Sequence, residues 1–375
     1  MHQAQAYCGM DVHQDSITIA LMTETGDFLP TYSIPYRQPK IQKHFEKLVK
    51  RHPGLVAAYE AGGCGFDLCR TLRGMGIYTE VIAPSRIEKA LGKPKNDKFD
   101  AALILKHLIQ DRVSVVYMGS KKDEAVREVT RYRESLTKDL RRKKAKLLAL
   151  LRRHGVRYTE GKKNWTLRYW AWLNQIKLDE EWNQYVLEEF KAEIHRLEAK
   201  RKQVDLQIRE ICKSWDKGVI VRVLCALRGI DIWSAASIVS EIMQFSRFQR
   251  AFHFMAFLGL LPTESSSGKR VSRGAISRMG NSQTRRLLVE TGHHFRRAPN
   301  RASVTLQKRW EGLPDDIIEQ AWKAQTRFHR KYHRMQKQGK PTNVIVVSIA
   351  RELAGFIWGL ACRVEQKSDD IPKFA

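Results

Sequence analysis

Acidic residues are scarce in this 375-residue chain: 40 Asp and Glu stand against 67 Lys and Arg, a formal charge of +27. That excess goes far beyond what solubility requires and points to a polyanionic partner, nucleic acid before any other. Cysteine is sparse too. Cys8, Cys64, Cys69, Cys212, Cys225 and Cys362 are scattered, with no CxxC and no His pair at zinc spacing. This argues against a disulfide-stapled scaffold and a zinc finger, and leaves buried reduced thiols. A long unbroken apolar run is missing as well, because Arg351 and Glu352 interrupt "NVIVVSIARELAGFIWGLAC". Val346, Ile349, Leu353, Phe356, Ile357 and Leu360 fall on one helical face, so a core helix is expected and no membrane partner. No cationic start followed by an apolar core opens the chain, and the expected location is a cytoplasm.

What is present first is alternation. "YCGMDVHQ", "SITIALMT" and "DFLPTYSIPY" alternate as strands do, and "ETGD" supplies a turn between the last two. The period then shifts: "PKIQKHFEKLVKR" reads as helix, "GLVAAYE" as strand, "CGFDLCRTLRGMG" as helix and "IYTEVIAP" as strand. Three strands followed by alternating helix and strand predict a mixed sheet with flanking helices, an α/β domain over residues 1–117.

Residues 118–216 are expected to form a helical arm. Residues 121–160 carry 14 Lys and Arg against 6 acids, yet Val126, Val129, Tyr132, Leu136, Leu140, Leu147 and Leu151 keep a helical stripe. A second stripe runs through Phe190, Ile194, Leu197, Val204 and Ile208. Two long helices joined by a Trp-rich connector suggest a coiled-coil arm, antiparallel or intermolecular.

Residues 217–375 complete the chain as a mainly helical, all-α domain. Its opening, "VLCALRGIDIWSAASIVSEI", resembles a helix-hairpin-helix that offers backbone N–H groups to a phosphate, with Asp231 where the second glycine is usual. An ordinary packed helical hairpin is the alternative. Residues 268–309 hold 11 Lys and Arg with Glu290 as the single acid, and 323–340 hold seven cations and no acid, interleaved with Trp322, Phe328 and Tyr332 nearby. Phosphate contacts are expected along both. Just ahead lies "PTESSSGKR", whose composition predicts a polar loop.

In so basic a chain, four acids stand out. Asp11 sits inside an apolar first strand, where an unpaired carboxylate would cost several kcal/mol. Glu60 ends the strand "LVAAYE", and Asp97 and Asp100 lie three apart at a helix start, on one face. Taken singly, these read as a salt-bridge partner, a surface acid and a helix cap. Together, the order of first strand, fourth strand and following helix matches the way RNase H-like folds gather carboxylates around Mg2+. The actin-like sugar kinases use a glycine-rich first hairpin on the same fold, and here Val12, His13 and Gln14 take that place without glycine.

"GMDVH", "AYEA", "NDKFDA" and then "FLGLLPTESSSGKRVSRGAISRMGNSQTRRLLVE" follow one another in an order that resembles the DEDD transposases of compact bacterial insertion sequences, the bridge-RNA-guided recombinases. The resemblance covers the N- and C-terminal domains and touches the arm only in character. It implies a RuvC-like, RNase H-like first domain in which Asp11, Glu60, Asp97 and Asp100 bind Mg2+, or Mn2+ in its place. It also implies a serine that attacks DNA to form a transient phosphoserine link. That role falls to Ser267, before Gly268, with Ser266 in reserve.

The resemblance further implies a structured noncoding guide RNA, donor and target double-stranded DNA, and homodimers pairing into tetramers in a bacterial cytoplasm, the acids of one subunit meeting the serine of another. Base pairing would choose the sequence while the protein reads shape and backbone. Lys269, Arg270, Arg273, Arg278, Arg285 and Arg286 are the expected nucleic-acid contacts. A serine needs a base or metal to react at neutral pH, and no His lies near Ser267 in sequence. Two other readings stand beside this one: a junction-resolving hydrolase that uses the acids with water as nucleophile, and a non-enzymatic nucleic-acid-packaging protein.

Overall fold

The computed structural model describes residues 6–83, 96–267, 270–299 and 302–366, with the side chains of 265–273 outside that description. Contacts divide the chain into two compact units, Met1–Met118 and Gly119–Ala375.

The first unit is a mixed α/β layer structure. Strands β1 (Tyr7–Val12), β2 (Ser16–Met22), β3 (Tyr32–Pro35), β4 (Val56–Glu60) and β5 (Tyr78–Ile82) form one sheet in the order β3-β2-β1-β4-β5. The first three run antiparallel, and β4 and β5 run parallel to β1. Helices α1 (Gln38–Arg51) and α2 (Asp67–Gly74) send Ile41, Phe45, Leu48, Leu68, Cys69 and Leu72 onto one face, where Met10, Ile17, Ile19 and Tyr59 are buried with them. Helix α3 (Asp97–Ile109) covers the other face through Ala101, Ile104, Leu105 and Leu108. The alternation of β1 dictates this arrangement, because Cys8 and Met10 face one side while Tyr7, Gly9 and Asp11 take the other. The mixed sheet expected from the sequence is the sheet observed.

The second unit is helical apart from one hairpin. Helices α4 (Lys121–Arg153) and α6 (Glu181–Ser214) lie antiparallel, with α5 (Leu167–Gln175) at their far end. Asp123 meets Trp215 and Lys217, Arg133 meets Asp205, and Lys144 meets Glu198, a set of pairs that only an antiparallel course permits. The Trp-rich connector packs as a small core: Tyr158, Trp165, Trp170 and Trp172 surround Tyr169, Leu173, Leu147 and Leu151.

Next come α7 (Gly218–Leu224), α8 (Ile232–Ile242), α9 (Ala251–Phe257), strands β6 (Pro262–Ser267) and β7 (Arg270–Ile276), then α10 (Ser282–Gly292), α11 (Val304–Trp310), α12 (Asp315–Lys337) and α13 (Thr342–Gln366). Helix α13 has the length and composition of a membrane span. It is the core helix of this unit instead: Val346, Ile349, Leu353, Ile357 and Leu360 are buried against α7, α9, α10 and α12, and Phe356 is half-buried.

One expectation is corrected here. "PTESSSGKR" is not simply a polar loop: Pro262–Ser267 is strand, paired antiparallel with Arg270–Ile276 in the register Ser265↔Ser272, Ser266↔Val271 and Ser267↔Arg270. Serine-rich sequence has weak strand propensity, and the ladder with the β-branched-containing "RVSRGAI" overrides it. The aromatic residues and the cations of α12 take different faces of the helix. Phe328 and Tyr332 are buried in the core, while Lys323, Arg327, Arg330 and Arg334 project from the opposite face. The interleaving is ordinary helical amphipathicity.

Candidate active site

The site is built where β1 ends and α3 begins. Gly9 makes the approach possible, since a Cβ there would stand 2.5 Å from the Ala101 carbonyl oxygen and collide with the Leu105 backbone. With only a hydrogen in the way, α3 settles onto β1. Ala101 then lies over Gly9, so the turn of α3 before it reaches the next residue on that face, Asp11.

The start of α3 is capped by Asn96, whose side-chain oxygen accepts from Lys98 N at 3.1 Å. Because Asn96 does the capping, Asp97 and Asp100 are not needed for it, contrary to the ordinary reading of an acid at a helix start. Their charge still suits the positive end of the helix dipole.

Three side chains converge here. His13 Nε2 lies 3.1 Å from Asp11 Oδ2 and 3.5 Å from Asp97 Oδ1, and one donor atom from each of Asp11, His13 and Asp97 falls within 4.8 Å of the others. Asp11 is the most enclosed of the three, with 16% of its side chain exposed against 42% for His13 and 53% for Asp97. Burial holds the Asp11 carboxyl above its ordinary range; His13 pulls it back, and the Asp100 and Asp97 carboxylates push it up again. Crowded carboxylates of this kind are a poor resting arrangement without a cation, and they fit a hard divalent ion with oxygen ligands.

Glu60 is placed by the sheet. Met10 pairs with Tyr59 in the parallel ladder, so Asp11 and Glu60 are the next residues on adjacent strands. The Tyr59 hydroxyl, donating to Gly65 O at 2.8 Å, pins the turn that follows. Glu60 is not among the three residues whose donor atoms converge. Sequence reasoning passed over His13. The signal was the spacing Asp-x-His at a strand end, which puts both side chains on one face.

Only the backbone of Ser266 and Ser267 is described: they are successive residues of β6. Lys269 lies outside the described residues, and Arg270 and Arg273 are placed by backbone alone on β7. Arg278 is exposed, with φ of 56°. Arg285 donates to the carbonyls of Leu258 (2.8 Å) and Met279 (3.3 Å), which fixes the base of the hairpin. Arg286 pairs with Glu134 at 2.9 Å and Glu290 at 2.8 Å. Asn281 caps α10 and donates to Glu241 Oε2 at 2.8 Å, where Arg131 also binds Glu241 through two hydrogen bonds of 2.7 and 3.1 Å.

The glycine turn ahead of α8 differs from a phosphate-binding hairpin. Asp231 Oδ1 accepts from Ser234 N at 2.8 Å, and Ser234 Oγ accepts from Asp231 N at 2.9 Å. The chain's own carboxylate therefore occupies the helix terminus that a phosphate would need.

Residues 8–155 match the DEDD family of IS110 transposases, and residues 221–305 match the transposase IS116/IS110/IS902 family. Over 365 residues the chain is 31% identical to y4qE of Sinorhizobium fredii, which bears the name of transposase, with 96% of this chain and 90% of that one covered. The chain belongs to the IS110 family of transposases. This transposase is also 28% identical over 343 residues to the transposase for insertion sequence element IS1533 of Leptospira borgpetersenii, covering 90% and 98% of the two chains. It is 23% identical over 286 residues to the transposase for insertion sequence element IS1111A of Coxiella burnetii, with 75% of each chain covered. It is thus a DNA transposase, and the clustered acids of β1 and α3 lie inside the region that the DEDD family spans.

Proposed function

We propose that this transposase cleaves and rejoins DNA through a phosphoserine intermediate at Ser267, with Asp11, Glu60, Asp97 and Asp100 holding a divalent cation. The convergence of Asp11, His13 and Asp97 at the first turn of α3 carries the reading. The sheet order β3-β2-β1-β4-β5, with β4 and β5 parallel to β1 and acids at the ends of β1 and β4, supports an RNase H-like, RuvC-like domain. When bound, Mg2+, or Mn2+ in its place, would supply a Lewis acid for the phosphodiester oxygens.

The residues divide the work as follows. Asp11 and Asp97 present carboxylate oxygens from a strand end and a helix start, and Glu60 and Asp100 complete the set of acids. His13 holds the two carboxylates in place and offers a nitrogen ligand. Ser267 Oγ forms a bond to the DNA phosphorus as the bond to a sugar oxygen breaks; the hydroxyl loses its proton and the departing oxygen gains one. Attack by a new strand end reverses the exchange and frees the serine.

A noncoding guide RNA, donor and target duplexes, homodimers pairing into tetramers and work in the bacterial cytoplasm complete the proposal. The antiparallel pair α4 and α6 would serve as the coiled-coil arm. The exposed cations Arg330 and Arg334 on α12, with Arg278 beside the hairpin, are suited to phosphates. Strand exchange on paired donor and target DNA, with the RNA that copurifies from the host, tests the reading. Ser267→Ala, Asp11→Asn and Asp97→Asn should each abolish exchange, and a Ser267→Ala protein that exchanges strands at the normal rate refutes the covalent route.

A further inference from the structure

A cavity of about 460 Å3 opens in the second unit between the Gly229 turn, α10, α11 and α12, with none of the four acids or the serine on its wall. Gln325 lines it. That residue is 2% exposed, which places its amide inside the wall and not at the surface. The indole N–H of Trp233, also on the wall, is buried without a partner. Unsatisfied buried polar groups are rare and call for an explanation, and a bound polar ligand is one.

The charge of the wall narrows the ligand. Arg228 and Arg297 stand together at the rim, where the Arg228 guanidinium donates to the Arg297 carbonyl at 3.3 Å. Burial and then the Arg297 guanidinium hold Arg228 below the ordinary arginine value. Two cations that repel one another are relieved by an anion.

The acids nearby do not relieve them. Asp231 is engaged at the start of α8, and Glu290 pairs with Arg286. The Gly229 turn, with φ of 84°, is glycine for a reason seen here: a Cβ would stand 2.9 Å from the His294 ring, which packs over it and forms part of the same wall. Burial, then Arg228 and Arg297, lower the pKa of His294 and favour the neutral ring. A pair of cations at the rim and a primary amide with an aromatic N–H inside make a set of donors and one acceptor that matches a phosphodiester joined to a base edge.

We infer that this cavity receives one unstacked nucleotide of a single-stranded nucleic-acid segment, its phosphate against Arg228 and Arg297 and its base toward Gln325 and Trp233. The inference rests on the reading of this chain as a nucleic-acid-handling transposase but not on the serine or the metal. A base held in a duplex is stacked and paired and cannot enter a concave site of this kind; an extruded or unpaired one can. RNA and DNA share the chemistry, and the test separates them.

The full chain is titrated with short fluorescein-labelled single strands of each base, in ribo and deoxyribo form, by anisotropy across a salt series, with a thermal melt for every variant. Arg228→Ala and Arg297→Ala should each weaken binding about tenfold for every base and reduce the salt slope by about one. Gln325→Leu, which keeps the volume and removes the amide, should cost about tenfold for the preferred base and little for the others. If Gln325→Leu melts early, the two arginine variants carry the test. Binding confined to ribo strands assigns the cavity to RNA, and binding confined to deoxyribo strands assigns it to unpaired DNA; either supports the inference. A wild-type chain that ignores all single strands, or arginine variants that bind as it does, overturns it. Binding requires no catalysis, so failure of strand exchange by a protein that binds normally counts against the phosphoserine reading and leaves this one standing.

Discussion

Gly9 of β1 lies directly against Ala101 of α3, so closely that a Cβ on Gly9 would stand 2.5 Å from the Ala101 carbonyl oxygen. The approach of α3 to the acidic cluster depends on that contact. It sets the depth of α3 on the sheet and thereby the distance between Asp11 and the first turn that carries Asp97 and Asp100.

Gly9→Ala should therefore do two things at once. Overpacking against backbone should cost the first unit about 2 kcal/mol, read by urea denaturation. The displaced helix start should also weaken Mn2+ binding about tenfold, read by electron paramagnetic resonance, although Gly9 offers no ligand atom.

Asp11 gives a pH signature. Its folded carboxyl is raised above the ordinary 3.8, chiefly by burial, so the native state holds the proton longer than the unfolded chain does. Its contribution to stability is full at low pH and falls as pH rises through the raised value. At neutral pH without divalent ions, Asp11→Asn should accordingly melt higher than wild type. Adding Mg2+ or Mn2+ should raise the melting temperature of wild type at pH 7.5, do little at pH 4, and do little for Asp11→Asn at either.

The base of the helical arm gives the opposite sign. Asp123, almost fully buried, accepts from Lys217 Nζ at 2.7 Å and from Trp215 Nε1 at 2.8 Å. Burial pushes its carboxyl up, but these donors outweigh it and the net shift is downward. The stability this carboxylate contributes is present above its ordinary 3.8 and is lost as pH falls through the lowered value. Asp123→Asn should cost about 2 kcal/mol at pH 7, and the gap to wild type should narrow in acid.

Glu241 ties three elements together. Arg131 of α4 and Asn281 at the start of α10 both bind this buried carboxylate of α8. Glu241→Ala leaves a half-buried guanidinium and a capping amide without their acceptor, a loss of about 3 kcal/mol in chemical denaturation. Asn281→Ala should cost about 1 kcal/mol, because it removes the cap and one of the hydrogen bonds to Glu241.

The sheet and most helices of the first unit were legible because their side chains obey a strict period of two or of 3.6 residues. So was the pairing of Asp97 with Asp100, which needs only helical spacing. Asp11 and Glu60 could be named from sequence, but their adjacency follows from the β1–β4 register, which sequence does not state. His13 was missed because an exposed His beside a turn has no apolar pattern to mark it. The hairpin was read as a loop because local propensity for "SSS" gives no hint of the partner strand. The Asp231 cap decides between the two readings of the glycine turn that sequence left open: one side chain fills the helix terminus from within the chain, as in an ordinary packed hairpin.

The most direct test of the central claim is to find the covalent bond. Donor DNA is incubated with the transposase, its RNA and Mg2+, the reaction is stopped in denaturant, and the nucleotide-bearing peptide is mapped by mass spectrometry. A phosphodiester on Ser267, absent from Ser267→Ala and from Asp11→Asn, is the predicted result. Efficient cleavage with no protein–DNA adduct, or an adduct formed just as well by Ser267→Ala, would contradict the account.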